Sequence, residues 1–288
     1  LAPAPPRPLL RARPFLKWAG GKARLATVYD TLGLLHAPSR GTYFEPFLGG
    51  GAVFFHLAPR KAHLVDANKE LVNTYKVVQK QVEGLIEALG EHVAAHARDP
   101  KGHYYEVRAQ RPTKLRMVER AARLLYLNKT CFNGLYRVNR DGQFNVPMGR
   151  YSRPNILDEE ALRAASAALA GARIQHGDFR AVEEKAKPGD FAYFDPPYDP
   201  LTPTSNFTSY TSAEFGREEQ RELAALVNRL AAKGVACVVS NSDTRYIREL
   251  YAHWWVTPVK ATRAINSRTD RRHPVGEVVV STFPPARR

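Results

Sequence analysis

The sequence predicts an α/β fold, because short apolar segments alternate with amphipathic helical patterns along much of the chain. The apolar, aromatic-rich run at 190–194 indicates a buried strand, and a glycine-rich turn joins an earlier strand to a helix. The predicted strands are residues 42–45, 62–65, 173–175, 190–194, 235–239, 254–258 and 277–283. Leucine and valine residues between Leu223 and Leu230 share one face of a predicted long helix.

The composition is that of an ordinary globular protein, with 288 residues, 44% hydrophobic and 25% charged, which is long enough for two lobes. Its net charge of +15 favours a polyanionic partner, and nucleic acid is the first candidate. A basic surface that serves only solubility is the alternative. Residues 1–14 are rich in proline and arginine and are predicted to form a disordered basic tail.

The two cysteines, Cys131 and Cys237, lie far apart and lack metal-ligand spacing. We therefore expect no disulfide framework and no metal site, and a reducing cytoplasm as the location. The sequence contains no apolar run of membrane-spanning length and no secretory pattern, so no membrane partner is expected.

The segment Asp195-Pro196-Pro197-Tyr198 follows the buried strand at 190–194 directly. Because proline cannot donate to a sheet ladder, the strand should end there, at the edge where open α/β sheets bind ligands. Asp195 and the Pro196 carbonyl can accept hydrogen bonds from an amino group, and Tyr198 offers a flat face. These groups fit the exocyclic amine of an aromatic base. A strand ending in a proline turn with a surface tyrosine is the alternative.

Glycines 49–51 stand between the strand at 42–45 and a helical segment at 52–57, as in nucleotide-binding turns. Asp66 comes about 20 residues later, at the end of the next strand, where an acid can bind ribose hydroxyls or cap a helix. An earlier turn at 15–22 sets two glycines between Lys17 and Lys22 and can approach an anion. Its Trp18 either stacks on a ligand or belongs to the core.

A helical insert, predicted at 70–165, interrupts the α/β segments 15–69 and 166–288. One apolar stripe runs from Leu71 to Leu89, and a second helix is predicted at 120–127. Asp158 is predicted to cap a helix that ends at Gly171. Polar residues at 204–212, and a basic segment containing Arg263, Arg268, Arg271 and Arg272, are predicted loops.

The insert also contains a predicted β-hairpin, in which Arg140-Asp141-Gly142 separates two alternating segments, 136–139 and 143–146. A two-stranded ribbon fits the major groove of DNA, where arginine can form two hydrogen bonds with guanine. A solvated hairpin without a nucleic-acid partner is equally consistent with the pattern.

In combination and in order, these motifs resemble those of DNA adenine-N6 methyltransferases of the Dam type, and specifically the family's alpha group. Residues 15–22 resemble its first motif, Phe47-x-Gly49-x-Gly51 its cofactor turn, and Asp66 its ribose-binding acid. Residues 133–135 with Arg137, then 144–147 and 149–151, resemble its recognition hairpin. The resemblance implies a Rossmann-like S-adenosylmethionine-dependent methyltransferase sheet with an inserted helical DNA-recognition domain that carries a β-hairpin.

The resemblance also implies site residues and a target. Catalysis would involve Asp195, Pro196, Pro197 and Tyr198, and S-adenosylmethionine would be bound by Trp18, Lys22, Phe47, Gly49, Gly51, Asp66, Asp178, Phe179 and Asp195. DNA contacts would come from Lys17, Phe132, Asn133, Leu135, Arg137, Arg150 and Tyr151. Arg137 matches the family's guanine reader, Lys17 matches a position that can touch the outer guanine, and the implied target is GATC in double-stranded DNA. The insert departs from the family pattern at 129–131 and at Gln143, which leaves the flanking preference open.

Other activities remain open at this point. An amine methyltransferase could act on cytosine-N4, RNA adenine or protein glutamine, although such cytosine enzymes more often place serine, and glutamine enzymes asparagine, where Asp195 stands. A nicotinamide-dependent oxidoreductase and a non-catalytic DNA-binding module are further alternatives. We expect a monomer in the prokaryotic cytoplasm, associated with the nucleoid, and a cognate restriction endonuclease is a candidate partner.

Overall fold

The computed structural model describes residues 11–200, 215–261 and 275–286. The predicted loop at 204–212 and the basic segment from Arg263 to Arg272 lie outside the described residues. Of the predicted basic tail, only residues 11–14 are described. Arg11 donates a hydrogen bond to the His56 carbonyl, and Arg13 pairs with Asp158, each at 2.9 Å. The last residues of the predicted tail therefore contact the fold.

The described residues form one seven-stranded sheet, which confirms the predicted α/β class. Its strands are β1 (Tyr43–Glu45), β2 (Ala62–Asp66), β3 (Ala172–His176), β4 (Phe191–Phe194), β5 (Ala236–Ser242), β6 (Trp255–Ala261) and β7 (Val275–Ser281). The order is β3-β2-β1-β4-β5-β7-β6. Strands β1 to β5 are parallel, and β7 lies antiparallel between β5 and β6. The direction of winding therefore reverses between β1 and β4.

Helices cover both faces of this sheet. They are α1 (Ala23–Thr31), α2 (Ala52–Leu57), α3 (Lys69–Lys80), α4 (Val82–Arg98), α5 (Pro100–Ala109), α6 (Met117–Thr130), α7 (Glu159–Leu169), α8 (Arg217–Ala232) and α9 (Arg245–Leu250). In β4, Phe191 and Tyr193 pack with the core of the first seven helices, whereas Ala192 and Phe194 pack with α8. Alternation along a strand produces this two-sided burial. None of the described helices is long and apolar enough to cross a membrane.

The apolar stripe from Leu71 to Leu89 is divided between two helices, contrary to the single pattern in the sequence. Helix α3 ends at Lys80 and α4 begins at Val82, because the backbone leaves helical geometry at Gln81 (φ −141°, ψ 38°). The residue at the break is neither glycine nor proline, so the sequence carries no breaker signal there. Both helices pack against α6, and the stripe stays buried across the break.

The predicted β-hairpin is a short ribbon without regular strands. Backbone hydrogen bonds join Asn139 N to Gln143 O (2.8 Å) and Asn145 N to Arg137 O (3.0 Å), around a turn with Gly142 at φ +73°. The pairing is interrupted where Asn133 and Gly134 have positive φ. It resumes beyond them, where Phe132 N donates to the Pro147 carbonyl at 2.9 Å and Cys131 forms an antiparallel bridge with Met148. We call residues 132–147 the recognition ribbon.

Candidate active site

Acidic residues follow or end three neighbouring strands at one edge of the sheet. Glu45 ends β1, Asp66 ends β2 and Asp195 follows β4. Because these strands are parallel and adjacent, the three carboxyl groups lie at the same edge. The edge between β1 and β4 is where the winding reverses, which is the usual ligand crevice of open α/β sheets.

Asp195 is held by two polar side chains. The Ser240 hydroxyl donates to its Oδ1 at 2.8 Å, and the Lys22 ammonium lies 2.9 Å from the same oxygen. Among the described residues, the second oxygen, Oδ2, forms no hydrogen bond. The Asp195 side chain remains 20% exposed.

Lys22 joins the first sequence motif to the Asp-Pro-Pro-Tyr segment. Its ammonium donates to the Gly20 carbonyl at 2.7 Å and lies 4.8 Å from the centre of the Tyr198 ring. The Lys22 side chain is only 6% exposed. A buried ammonium needs a counter-charge, and Asp195 supplies it. The structure therefore brings Lys22 and Tyr198 together with Asp195.

A buried polar network fixes the backbone after Asp195. The Gln220 amide donates to the Pro197 carbonyl at 2.8 Å, the Asn241 side chain accepts from Asp199 N at 3.1 Å, and Ser242 donates to the Asp199 carbonyl at 2.6 Å. Sequence reasoning missed these supports. Their only signal is the polar run at 240–242 that ends an otherwise apolar strand.

The Tyr198 hydroxyl donates to Glu277 Oε2 at 3.1 Å, across the sheet from the end of β4. Glu277 lies in β7 and is buried. Burial, followed by the nearby Asp195 charge, raises the pKa of Tyr198 well above its usual value. Tyr198 therefore keeps its proton and remains a donor, which fixes the orientation of its ring.

The glycine turn after β1 requires glycine at two positions. Gly49 and Gly51 have φ values of +49° and +66°. A Cβ at Gly51 would lie 2.7 Å from the Tyr75 hydroxyl, and one at Gly49 would lie 3.0 Å from the Trp18 ring. The turn therefore requires glycine at these positions, because Tyr75 and Trp18 pack directly against its backbone.

Asp66 joins this turn to the next helix. Its Oδ2 accepts from Gly49 N at 2.9 Å and its Oδ1 from Asn68 N at 2.8 Å. Burial raises the pKa of Asp66, while these two backbone hydrogen bonds lower it. Asn68, rather than Asp66, caps helix α3. Asp66 is thus left at the strand end, as the ribose-binding interpretation requires.

Three further residues predicted to bind S-adenosylmethionine, Phe47, Asp178 and Phe179, lie close together. The rings of Phe47 and Phe179 stack with centroids 5.5 Å apart and planes 22° apart. The Asp178 side chain is 54% exposed and pairs with Arg180 at 2.7 Å, and the Arg180 guanidinium lies 4.7 Å from the Phe179 ring centre. The structure therefore brings Phe47, Asp178 and Phe179 into one neighbourhood.

The predicted DNA-contacting residues lie on or beside the recognition ribbon. The Lys17 ammonium lies 4.7 Å from the Tyr151 ring centre, and Arg150 beside it is exposed. The Arg137 guanidinium donates to the Asn145 side chain at 2.7 Å, which orients it across the ribbon. Phe132 is 43% exposed, Asn133 beside it has φ +55°, and Leu135 is half-buried.

Comparison with known proteins decides the family. A family model described as D12 class N6 adenine-specific DNA methyltransferase matches residues 18–265. The chain belongs to this class. It is 40% identical over 280 residues to a type II methyltransferase of Lactococcus lactis subsp. cremoris, covering 95% of this chain and 96% of that protein. A type II methyltransferase of Methanocaldococcus jannaschii is 40% identical over 277 residues (91% and 96%). A DNA adenine methylase of Haemophilus influenzae is 36% identical over 274 residues (95% and 94%).

The class confirms the resemblance read from the motifs and makes this protein an adenine-specific DNA methyltransferase. The cytosine-N4, RNA and glutamine alternatives are therefore set aside, as are the oxidoreductase and the DNA-binding module without catalysis. In the part of the chain that the structure describes, no group of three or more metal-ligating side chains is positioned to hold an ion.

One buried acid of this methyltransferase was not anticipated as part of the site. Glu45 is 2% exposed and accepts a hydrogen bond from the Tyr43 hydroxyl at 2.8 Å. Burial above all, with a contribution from the Asp195 charge, raises the pKa of Glu45 to about 8. At neutral pH the Glu45 carboxyl is therefore mostly protonated.

Proposed function

We propose that this methyltransferase transfers a methyl group from S-adenosylmethionine to N6 of an adenine flipped out of double-stranded DNA, within GATC. The observation that supports this most directly is the position of Asp195, which follows β4 next to β1, the strand that leads into the glycine turn. Its Oδ2 has no hydrogen-bond partner among the described residues. Asp195 thus lies next to both the expected place of the base and the proposed donor site. We call that donor site the donor cradle; it comprises residues 49–51 with Trp18, Phe47, Asp66 and Phe179.

The donor cradle fits S-adenosylmethionine by its own chemistry. The glycine turn follows β1 and donates a backbone hydrogen bond from Gly49 to Asp66, and Asp66 at the next strand end can accept ribose hydroxyls. Phe47 and Phe179 offer aromatic surface for an adenine ring, and Trp18 packs over the turn. When bound, S-adenosylmethionine supplies a methyl group activated by a positively charged sulfur.

The protein's part in the reaction is to hold the amine of the target adenine. This nitrogen is a poor nucleophile because its lone pair is delocalised into the ring. Asp195 Oδ2 and the Pro196 carbonyl accept its two hydrogens, which favours a tetrahedral nitrogen with an available lone pair. Tyr198, fixed by Glu277, stacks on the base. Positioning of this kind supplies much of the rate acceleration, and the proton is lost after transfer.

The recognition ribbon is proposed to contact the DNA. Arg137, held by Asn145, presents a planar fork suited to guanine O6 and N7. Lys17 contacts the ring of Tyr151, and Arg150 is the neighbour of Tyr151 in the chain. These three residues are also proposed to contact the DNA. The exposed Phe132 ring has the character of an apolar wedge that separates bases.

Modification of plasmid DNA tests the proposed activity and target together. Plasmid from cells that lack adenine methylation but express this protein should resist an endonuclease blocked by methylated GATC and be cut by one that requires it. Plasmid from cells expressing the Asp195→Asn variant is the control. It should be cut by the endonuclease that methylated GATC blocks and should resist the one that requires methylation. Methylation of adenine in another sequence would support the proposed activity but would overturn GATC as its target.

We expect Arg137→Ala to reduce kcat/KM on GATC duplexes by about 5- to 150-fold, because a bidentate contact with a base is worth about 1–3 kcal/mol. The discrimination between GATC and duplexes with one altered guanine should fall by a similar factor. Steady-state assays on both duplexes measure this. The matched control is Arg140→Ala at the exposed ribbon turn, expected to change kcat/KM by less than about threefold. Equal effects of the two variants would contradict guanine reading by Arg137.

The proposed partner is duplex DNA, and the proposed location is a prokaryotic cytoplasm. A cognate restriction endonuclease is a further proposed partner, supported by relatives named type II methyltransferases. We propose action as a monomer, because the described residues of both the donor cradle and the recognition ribbon come from one chain.

A further inference from the structure

Tyr136, which stands between Leu135 and Arg137 in the recognition ribbon, contacts the donor cradle. Its ring stacks on Trp18, with centroids 5.4 Å apart and planes 28° apart. Trp18 in turn packs over the glycine turn, since a Cβ at Gly49 would lie 3.0 Å from the Trp18 ring. Tyr136 and Trp18 are both partly buried against the main core. The indole of Trp18 is therefore held between the ribbon and the turn.

Tyr136 also lies near Asn68. Burial raises the pKa of Tyr136, and the nearby Asn68 side chain opposes this. Asn68 donates its backbone N–H to Asp66 Oδ1 at 2.8 Å, and its side chain caps helix α3. Tyr136 thus stacks on the neighbour of Gly49 and lies near the neighbour of Asp66.

A second set of contacts fixes the part of the recognition ribbon that precedes Tyr136. The Asn128 amide donates to the Lys17 carbonyl at 2.7 Å and to the Gly134 carbonyl at 3.0 Å, and its oxygen accepts from Lys17 N at 2.8 Å. Gly134, with φ +65°, lies so close to Lys17 that an added Cβ would be 2.5 Å from the Lys17 side chain. The residue before Trp18 and the start of the ribbon are thus locked together.

We propose that Tyr136 is a positioning residue of the donor site, which places Trp18 and Asn68 so that the turn and Asp66 can bind S-adenosylmethionine. This inference rests on the proposed function, because that function assigns donor binding to these groups. It gives the recognition ribbon a role that is separate from reading DNA. The donor site is consequently completed by a side chain next to the proposed guanine reader.

Calorimetric titration of the full-length protein with S-adenosylmethionine, in the absence of DNA, tests the proposal. Tyr136→Leu is expected to raise the donor Kd by about tenfold, since it removes both the stack and the hydroxyl. Tyr136→Phe keeps the stack and should raise the Kd by only about threefold. Arg137→Ala is the adjacent control and should leave the donor Kd within about twofold of the unmodified protein while weakening GATC discrimination.

Steady-state kinetics separate positioning from general damage. With saturating duplex, Tyr136→Leu should raise the KM for S-adenosylmethionine with little change in kcat. The KM of Tyr136→Phe should be close to that of the unmodified protein. A donor Kd unchanged in a folded Tyr136→Leu, or a Phe variant no better than the Leu variant, overturns the inference. If Tyr136→Leu does not fold, an unchanged donor Kd in Tyr136→Ala, or a loss no smaller in Tyr136→Phe than in Tyr136→Ala, overturns it instead. No donor binding by the unmodified protein would overturn the proposed function itself, and the inference with it.

Discussion

Replacing Asp195 with asparagine is expected to lower the single-turnover rate of methyl transfer by at least about a thousandfold. Asparagine has nearly the same shape but removes the negative charge that Lys22 and Ser240 surround. It also gives the site an NH₂ group where an acceptor is required for the adenine amine. Labelled S-adenosylmethionine and a duplex containing GATC, each at saturating concentration, measure the rate. Duplex affinity should stay within about threefold, because Asp195 is proposed to contact only the flipped adenine, whereas the recognition ribbon is proposed to contact the rest of the DNA.

The matched control is Asp243→Asn. Asp243 follows the neighbouring strand β5 at the same edge of the sheet and pairs with Arg248. Its replacement should leave the rate within about threefold, since a partly exposed ion pair contributes little to stability. A rate for Asp195→Asn within tenfold of the unmodified protein would remove Asp195 from the reaction.

Replacing Glu45 with glutamine is expected to stabilise the protein at alkaline pH. The pKa of Glu45 rises from 4.5 to about 8 in the folded chain, mainly by burial. Between those values the folded state holds a proton that the unfolded state releases, so stability falls as pH rises. Each pH unit in this window costs about 1.4 kcal/mol. Glutamine does not titrate and can still accept from the Tyr43 hydroxyl.

Urea unfolding of both proteins at several pH values measures this effect. The two free energies of unfolding should agree near pH 4 and differ by about 4 kcal/mol near pH 8, with Glu45→Gln more stable. Glu87→Gln, on the exposed side of α4, is the control and should show no pH-dependent difference of that size. A constant difference from pH 5 to 8 would contradict a Glu45 carboxyl that is protonated at neutral pH.

The sequence predicts the parts of the candidate site whose residues are neighbours in the chain. Asp195, Tyr198, the glycine turn and Asp66 each stand at or after the end of a strand whose apolar run is visible in the sequence. Parallel packing then brings these strand ends to one edge without further information. Lys22 could be proposed from the sequence because the family's first motif is a continuous segment, and the structure brings it to Asp195.

The residues that support this site could not be found in the same way. Ser240 and Glu277 reach Asp195 and Tyr198 only because β5 lies beside β4 and β7 beside β5. That order is set by long-range packing, which local patterns do not encode. Tyr136 was seen only as part of a hairpin, since its contact with Trp18 spans more than a hundred residues.

Helix boundaries show both kinds of outcome. Helix α5 was not predicted, although Asp99-Pro100 is a start signal: Asp99 accepts from Gly102 N at 2.9 Å and Pro100 occupies the first turn. This signal was available in the sequence. The break at Gln81 was not, because it follows from how α3 and α4 each pack against α6.

The bracing of Lys17 by Asn128 matters for anyone who wishes to retarget the enzyme by building chimaeras. A transplanted 70–165 segment would arrive with its own residue at 128, while the segment at 15–22 would stay with the host. A residue at 128 that does not match would leave up to three backbone groups, the Lys17 N–H and the Lys17 and Gly134 carbonyls, without a hydrogen-bond partner. Each such group, where buried, costs about 1–3 kcal/mol. Exchanges that move both segments as one cassette should therefore survive more often than exchanges of the insert alone.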